Sequence, residues 1–265
     1  MELKTPLGTL IYDDTLGDGP LVVCLPGMGD NRATYRHLTP LLVAAGHRVV
    51  TLDPRGQGES DAVWPDYSPE AIGADLLDLL RHLDAGPAVL ITNSYTGATA
   101  IWAAAEQPSA FTAIVLCDPF ARVMPAPGAA MRLATAAVGR VRPFWMMYWS
   151  SLFKTRKPAD HAAARAALSR QLAEPGRMAA LRAMFAADIS VSEARTSSVR
   201  TPALVVMGAK DPDFPDPAAE ARLIASRLDG TVVMIPDAGH YPQAEYPSET
   251  AAAILAFLKA VDVHA

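Results

Sequence analysis

Apolar residues enter this chain in short blocks. Residues 21–25 are apolar without a break, and 49–52, 88–91, 111–117, 203–207 and 232–235 are nearly so. Blocks this short and dense predict strands covered on both faces, as in a parallel sheet. An earlier strand is predicted at 9–12, followed by a turn at 13–19. Between the blocks the spacing turns helical. Residues 35–45 form one such stretch, ended by Gly46 as a left-handed stop. Ser68 and Pro69 predict a capped helix start, and Leu76, Leu77, Leu79, Leu80 and Leu83 give that helix an apolar stripe. Helices are also predicted at 97–106, 217–228 and 247–261. Strand and helix in alternation imply right-handed crossovers and a mainly parallel sheet of about eight strands flanked by helices.

The alternation fails between about 121 and 200. This stretch predicts helix only, with alanine-rich segments at 162–172 and 178–187. It also holds Pro143-Phe144-Trp145-Met146-Met147-Tyr148-Trp149, the densest aromatic run in the chain. The expected organisation is a core of residues 1–120 and 201–265 with a helical lid at 121–200. Such an insertion lies beyond the carboxyl ends of the strands, where sites in open sheets form. Trp145, Met146 and Trp149 are expected to line a substrate pocket there. Packing inside the lid alone is the other reading of the same stripe.

Candidate chemistry sits where apolar blocks end. Ser94 follows the block at 88–91 and precedes a small-residue helix. This is the layout of a nucleophile elbow, a sharp turn that lifts a serine hydroxyl into a pocket. Thr92 and Thr96 stand two residues to either side, where such turns need small groups. His240 lies in a turn between the block at 232–235 and the last helix. His37 and His82 fall on helices, His47 leads into a strand, His161 is in the lid and His264 in the tail. His240 is therefore the expected general base. Asp211 follows the block at 203–207 and is the expected acid that orients the imidazole, with Asp213 and Asp118 as rivals. The N–H groups of Tyr95 and Met28 are the expected oxyanion donors.

The order serine, acid, histidine resembles the α/β-hydrolase superfamily, in its lid-bearing esterase-like members. The resemblance runs from about residue 9 to 258. Leu25-Pro26-Gly27-Met28-Gly29 is similar to that family's oxyanion loop, and Asp53-Pro54-Arg55-Gly56-Gln57-Gly58-Glu59-Ser60 to its Asp-x-Arg-Gly-x-Gly-x-Ser loop. Ser94, Asp211 and His240 fall on its nucleophile, acid and base. Asp53 and Arg55 fall on residues that pin a loop away from the chemistry. Pro26 and Asn93 replace histidines common there, which bears on substrate class rather than on proton transfer. The resemblance implies an α/β-hydrolase fold and a serine hydrolase of a carboxylic ester, lactone or thioester. A lyase or cyclase using the triad as acid and base, or a small-ligand receptor, is the alternative on the same fold.

Composition narrows this further. The chain has 265 residues, 51% of them hydrophobic and 19% charged, which suits a folded domain with a sizeable core. A formal charge of -5 gives no reason to expect nucleic acid or an anionic membrane as partner. The opening residues are polar, so no signal peptide is expected, and no apolar run reaches membrane-spanning length. Cys24 and Cys117 lie in strand-like blocks and are expected as free buried thiols. Neither has metal-ligand spacing, and residues 26–29 lack the lysine of a phosphate loop. The expectation is a cytoplasmic monomer or homodimer acting on a small molecule, with no cofactor and no metal.

Overall fold

The computed structural model describes residues 1–125 and 128–262, the side chains of 129–134 and 262 excepted. Positions 126–127 of the expected lid and 263–265 of the expected tail, His264 included, lie outside the described residues. The strands are β1 Glu2–Thr5, β2 Gly8–Asp14, β3 Leu21–Leu25, β4 Arg48–Asp53, β5 Ala88–Asn93, β6 Phe111–Cys117, β7 Ala203–Gly208 and β8 Thr231–Ile235. They form one sheet in the order β1-β2-β4-β3-β5-β6-β7-β8. β1 and β2 run antiparallel at one edge, and β4 to β8 pair in parallel through β3.

The unbroken apolar blocks resolve into the two-residue alternation that a pleat demands. Leu21, Val23 and Leu25 of β3 face one core, and Val22 and Cys24 face the other. On the first side lie α2 (Pro69–Leu83), α3 (Thr96–Glu106) and α9 (Pro217–Leu228), which supply Ile72, Leu76, Ile101 and Ile224. On the second lie α1 (Thr39–Ala44) and α11 (Pro247–Asp262), with Leu42, Ile254 and Leu258. Both cysteines are free and buried.

Two expectations at the amino-terminal end needed correction. β1 was not anticipated. It is a four-residue edge strand that buries Leu3 alone, too short for its alternation to stand out. The helix expected over 35–45 is a 3₁₀ turn at Arg32–Tyr35 and then the short α1. Pro40 falls in the first turn of α1, where its missing N–H costs nothing, whereas in the middle of a continuous 35–45 helix it would leave a carbonyl of the preceding turn without its donor. Gly46 is the expected left-handed stop, at φ +93.

Between β6 and β7 the chain is helical: α4 (Ala129–Arg140), α5 (Arg142–Ser151), α6 (His161–Gln171), α7 (Arg177–Ala186) and α8 (Ser190–Ala194). These form the lid, with Trp145, Met146, Trp149, Leu168 and Leu181 in a core of their own. A four-residue helix, α10 (Pro242–Glu245), precedes α11. Among the described residues no helix is long and apolar enough to cross a membrane.

The Asp53–Ser60 loop is pinned as the resemblance implied. Asp53 accepts from the Arg32 N–H (2.7 Å) and the Glu59 N–H (2.9 Å) and pairs with the Arg32 guanidinium. Arg55 makes a two-pronged ion pair with Asp75 on α2, both contacts at 2.7 Å, and stacks on Trp64. Both members of that pair are buried, so removing one strands the other. Asp75→Ala is expected to cost about 3–5 kcal/mol, read as a large fall in thermal unfolding midpoint. A change within experimental error would show that the pair does not hold this loop.

Candidate active site

The site is built on three adjacent strand ends. β5 stops at Asn93, and α3 starts at Thr96. That leaves Ser94 to turn the chain, at φ +59. A left-handed backbone is costly for any residue with a Cβ, by about 1–2 kcal/mol. Its neighbours hold it there. The Ser94 N–H donates to Cys117 O of β6 (2.9 Å), and Ser94 O accepts from the N–H groups of Gly97 (2.9 Å) and Phe120 (3.0 Å). Thr96 does what a glycine could not. Its hydroxyl lies 2.9 Å from Asn93 O and 3.1 Å from Leu25 O, stitching the turn to β3. Gly27 is required by contact: a Cβ there would lie 2.8 Å from Ser94 Cβ.

Met28 and Tyr95 flank the serine as expected of oxyanion donors. Among the described residues neither backbone N–H has an internal acceptor, so both are available to an oxygen in the cavity. Asn93, which stands where a histidine is common, donates to His240 O and to Cys117 O, each at 3.1 Å. It ties the histidine turn to the elbow, a role the sequence did not reveal.

His240 is buried, and its Nδ1 lies 2.7 Å from Asp211 Oδ2. Asp213 Oδ2 stands farther from the same nitrogen, at 3.8 Å. Asp213 is held instead by the hydroxyl of Tyr148 on α5, which donates to it at 2.7 Å. Its own N–H donates to Asp211 Oδ1 at 2.9 Å. Asp118 lies behind Asp211, fully buried. One polar atom from each of Asp118, Asp211 and His240 lies within 4.8 Å of the other two. Asp211 is taken up by the imidazole and the Asp213 N–H, which suits a hydrogen-bonded relay better than a cation seat.

Burial of the His240 imidazole opposes its cation. The Asp211 carboxylate, seconded by Asp213 and Glu245, outweighs that effect and pushes the pKa up to about 9. Asp211 is held below the usual carboxylate range: burial works against its charge, but His240 and two further hydrogen bonds overcome it. No hydrogen bond joins Ser94 Oγ to His240, yet both side chains open into one cavity of about 350 Å³. Met28, Tyr95, Phe120, Met124, Trp145, Tyr148, Leu152, Met184 and Phe185 also line it. Among the described residues no lysine or arginine does, and the exposed carboxylate of Asp188 stands at its rim.

The three lid residues expected in the pocket divide. Trp145 lines the cavity; Met146 and Trp149 do not, and pack in the lid core against Phe153, Leu168 and Tyr241. Both tryptophans grip the oxyanion loop. Trp145 Nε1 donates to Gly29 O (3.1 Å), and Trp149 Nε1 donates to Asp30 Oδ2 (3.2 Å). Burial pushes the Asp30 carboxyl up to about 6, against the pull of that hydrogen bond. The lid also reaches the histidine turn. The His240 N–H donates to Leu152 O (3.1 Å), and the Lys154 N–H donates to Glu245 Oε2 (2.9 Å). Glu245 in turn accepts from the Gly239 N–H at 2.8 Å.

Residues 22–253 match the Alpha/beta hydrolase family. The chain belongs to the alpha/beta hydrolase family. It is 29% identical over 252 residues to the polyketide synthase ThaQ of Burkholderia thailandensis, covering 91% of this chain but 12% of the synthase. It is 26% identical to 2-(acetamidomethylene)succinate hydrolase of Mesorhizobium japonicum, over 92% of this chain and 90% of that one. Among solved structures, a thermophilic esterase from Thermogutta terrifontis superposes with a TM-score of 0.80 at 26% identity, covering 98% of this chain and 99% of the esterase. As in that family, this alpha/beta hydrolase has an elbow serine, a histidine after the last strand and a helical lid between them.

Two outcomes test this geometry. A base must be neutral to accept a proton, so activity is lost as pH falls below its pKa. kcat/KM is therefore expected to climb with pH to a half-maximum near about 9; a plateau already reached at pH 7 would contradict the electrostatics of His240. Trp149→Ala is expected to destabilise the fold by about 3–5 kcal/mol in chemical denaturation while leaving the preference among acyl chain lengths unchanged. An altered preference with unchanged stability would move Trp149 from the lid core to the cavity.

Proposed function

We propose that this chain is a serine hydrolase that cleaves carboxylic esters, lactones or thioesters of small, largely apolar substrates through an acyl-enzyme. The observation that carries this reading is Ser94, left-handed at φ +59, sharing an apolar cavity with a histidine 2.7 Å from a buried carboxylate. In this scheme His240 takes the Ser94 proton as the oxygen attacks the carbonyl, then gives it to the leaving group. It repeats both steps with water to release the acid. Asp211 fixes the ring by its Nδ1–H and stabilises the imidazolium. The free N–H groups of Met28 and Tyr95 receive the oxyanion, a contact of a kind worth about 2.7–4 kcal/mol per donor.

The cavity supports the substrate class. Among the described residues its lining is mostly apolar and offers no cation to a substrate carboxylate. An uncharged acyl group therefore fits better than an acidic one, and Asp188 at the rim adds repulsion. The Mesorhizobium japonicum relative is a hydrolase and the Thermogutta terrifontis protein an esterase, which agrees with the reaction type. We assign residues 121–200 to the lid, with the remainder as core. We place the protein in the cytoplasm as a monomer or homodimer, acting on a small molecule and not on nucleic acid or a membrane.

A serine-directed phosphonate is expected to label the purified protein once, at Ser94, and p-nitrophenyl esters with uncharged acyl chains are expected to turn over. Ser94→Ala is expected to abolish both. Labelling that survives in the alanine variant, or a folded wild type inert to esters, lactones and thioesters alike, would overturn the proposal.

A further inference from the structure

Asp118 is a buried acid that the scheme above leaves unused. It ends β6 beside the elbow, has no solvent exposure, and adopts a left-handed backbone at φ +46. Its two oxygens differ. Oδ1 accepts from the Gly208 N–H at 2.9 Å, whereas among the described residues no donor reaches Oδ2. Another carboxyl lies close to it: one oxygen of Asp211 is within 4.8 Å of one of its own. Two ionised carboxylates this close, away from water, repel strongly, and such pairs hold a proton between them.

The partners decide where that proton resides. Asp211 accepts from the Asp213 N–H and faces the His240 ring, which favours its ionised form. Asp118 has one backbone donor; Asp211 from the loop after β7, Glu245 from α10 and the neighbouring Cys117 thiol on β6 face it as acids, and the His240 ring, also within 4.8 Å, gives its Nδ1 to Asp211 and not to Asp118.

We propose that Asp118 is a positioning residue kept as a neutral carboxylic acid, whose Oδ2–H donates to the Asp211 carboxylate while Oδ1 accepts from Gly208. The inference rests on the proposed role of Asp211 as the acid behind His240. Asp118 then does two things. It fixes the rotation of the Asp211 carboxylate so that Oδ2 aims at Nδ1. It also draws charge from Asp211, so the imidazolium is held less tightly and releases its proton to the leaving group more readily. Burial and the Asp211 charge both push the Asp118 carboxyl well above its usual range, which agrees with this state. The same placement excludes Asp118 as a direct partner of the ring, since Asp211 occupies Nδ1.

The test compares two substitutions. In Asp118→Asn the amide oxygen accepts from Gly208 and the amide N–H donates to Asp211, so both hydrogen bonds are reproduced. In Asp118→Leu neither survives. With a short-chain p-nitrophenyl ester, Asp118→Asn is expected to retain most of kcat/KM with the ascending limb of its pH profile in place. Asp118→Leu is expected to lose about tenfold in kcat, as befits one charge-assisted hydrogen bond, with the limb moved to higher pH. Infrared difference spectra of unliganded wild type against Asp118→Asn at pH 7 supply a readout free of activity and of the leucine variant's folding. A protonated-carboxyl stretch present in wild type and missing in the asparagine variant is expected. Absence of that band, or an ascending limb that moves down by a pH unit in Asp118→Asn, would show an ionised Asp118 and overturn the proposal. Loss of ester turnover in all forms with the band intact would instead count against the hydrolase reading alone.

Discussion

A serine held in a left-handed turn is the constraint on which the rest of this structure depends. The turn costs energy at Ser94 and is kept by bonds from the strands on either side. β6 supplies the acceptor for the Ser94 N–H, and the Thr96 hydroxyl spans to the end of β3. The elbow therefore exists only where three parallel strands end together. The same ends place the oxyanion loop after β3 and Asp118 after β6. One and two strands further out come Asp211 and the turn with His240. Parallel pairing in register is thus what gathers residues from five strand ends spread along the chain.

The lid closes this arrangement from the other side. It is joined to the core by more than its two chain connections. Trp145 and Trp149 hold Gly29 and Asp30, while Leu152 and Lys154 hold the turn that carries His240. A substitution in the lid core can therefore disturb both the oxyanion loop and the base without touching substrate. Tyr148 lines the cavity and bonds Asp213, so lid position and the field at His240 are linked through one hydroxyl.

Much of this was legible in the sequence, for physical reasons. Unbroken apolar runs can lie only between two covering layers, so six of the eight strands read directly. Ser94, Asp211 and His240 read because each follows such a run, and the parallel topology converts strand ends into neighbours. The rest depended on three-dimensional placement. Nothing in the aromatic run separates Trp145, which reaches the cavity, from Trp149, which does not; both faces of α5 are lined with large apolar groups. Asn93 and Thr96 read as departures from a pattern, and their hydrogen bonds appear only when β3, β6 and the histidine turn converge. The whole-chain charge also concealed a division. Residues 121–200 hold 13 of the 23 Lys and Arg but 4 of the 28 Asp and Glu, leaving +9 on the lid and -14 elsewhere. A sum over the chain carries no weight for a surface made by the lid alone.

The central claim is that the elbow presents Ser94 as a nucleophile that becomes acylated. Rapid-mixing kinetics with an activated ester, followed by peptide mass mapping of acid-quenched protein, tests it most directly. The account predicts a burst of leaving group equal to the enzyme concentration and an acyl group on Ser94 alone. Steady turnover with no burst and no adduct when deacylation is slowed in Asp211→Asn, or an adduct on any other residue, would contradict it.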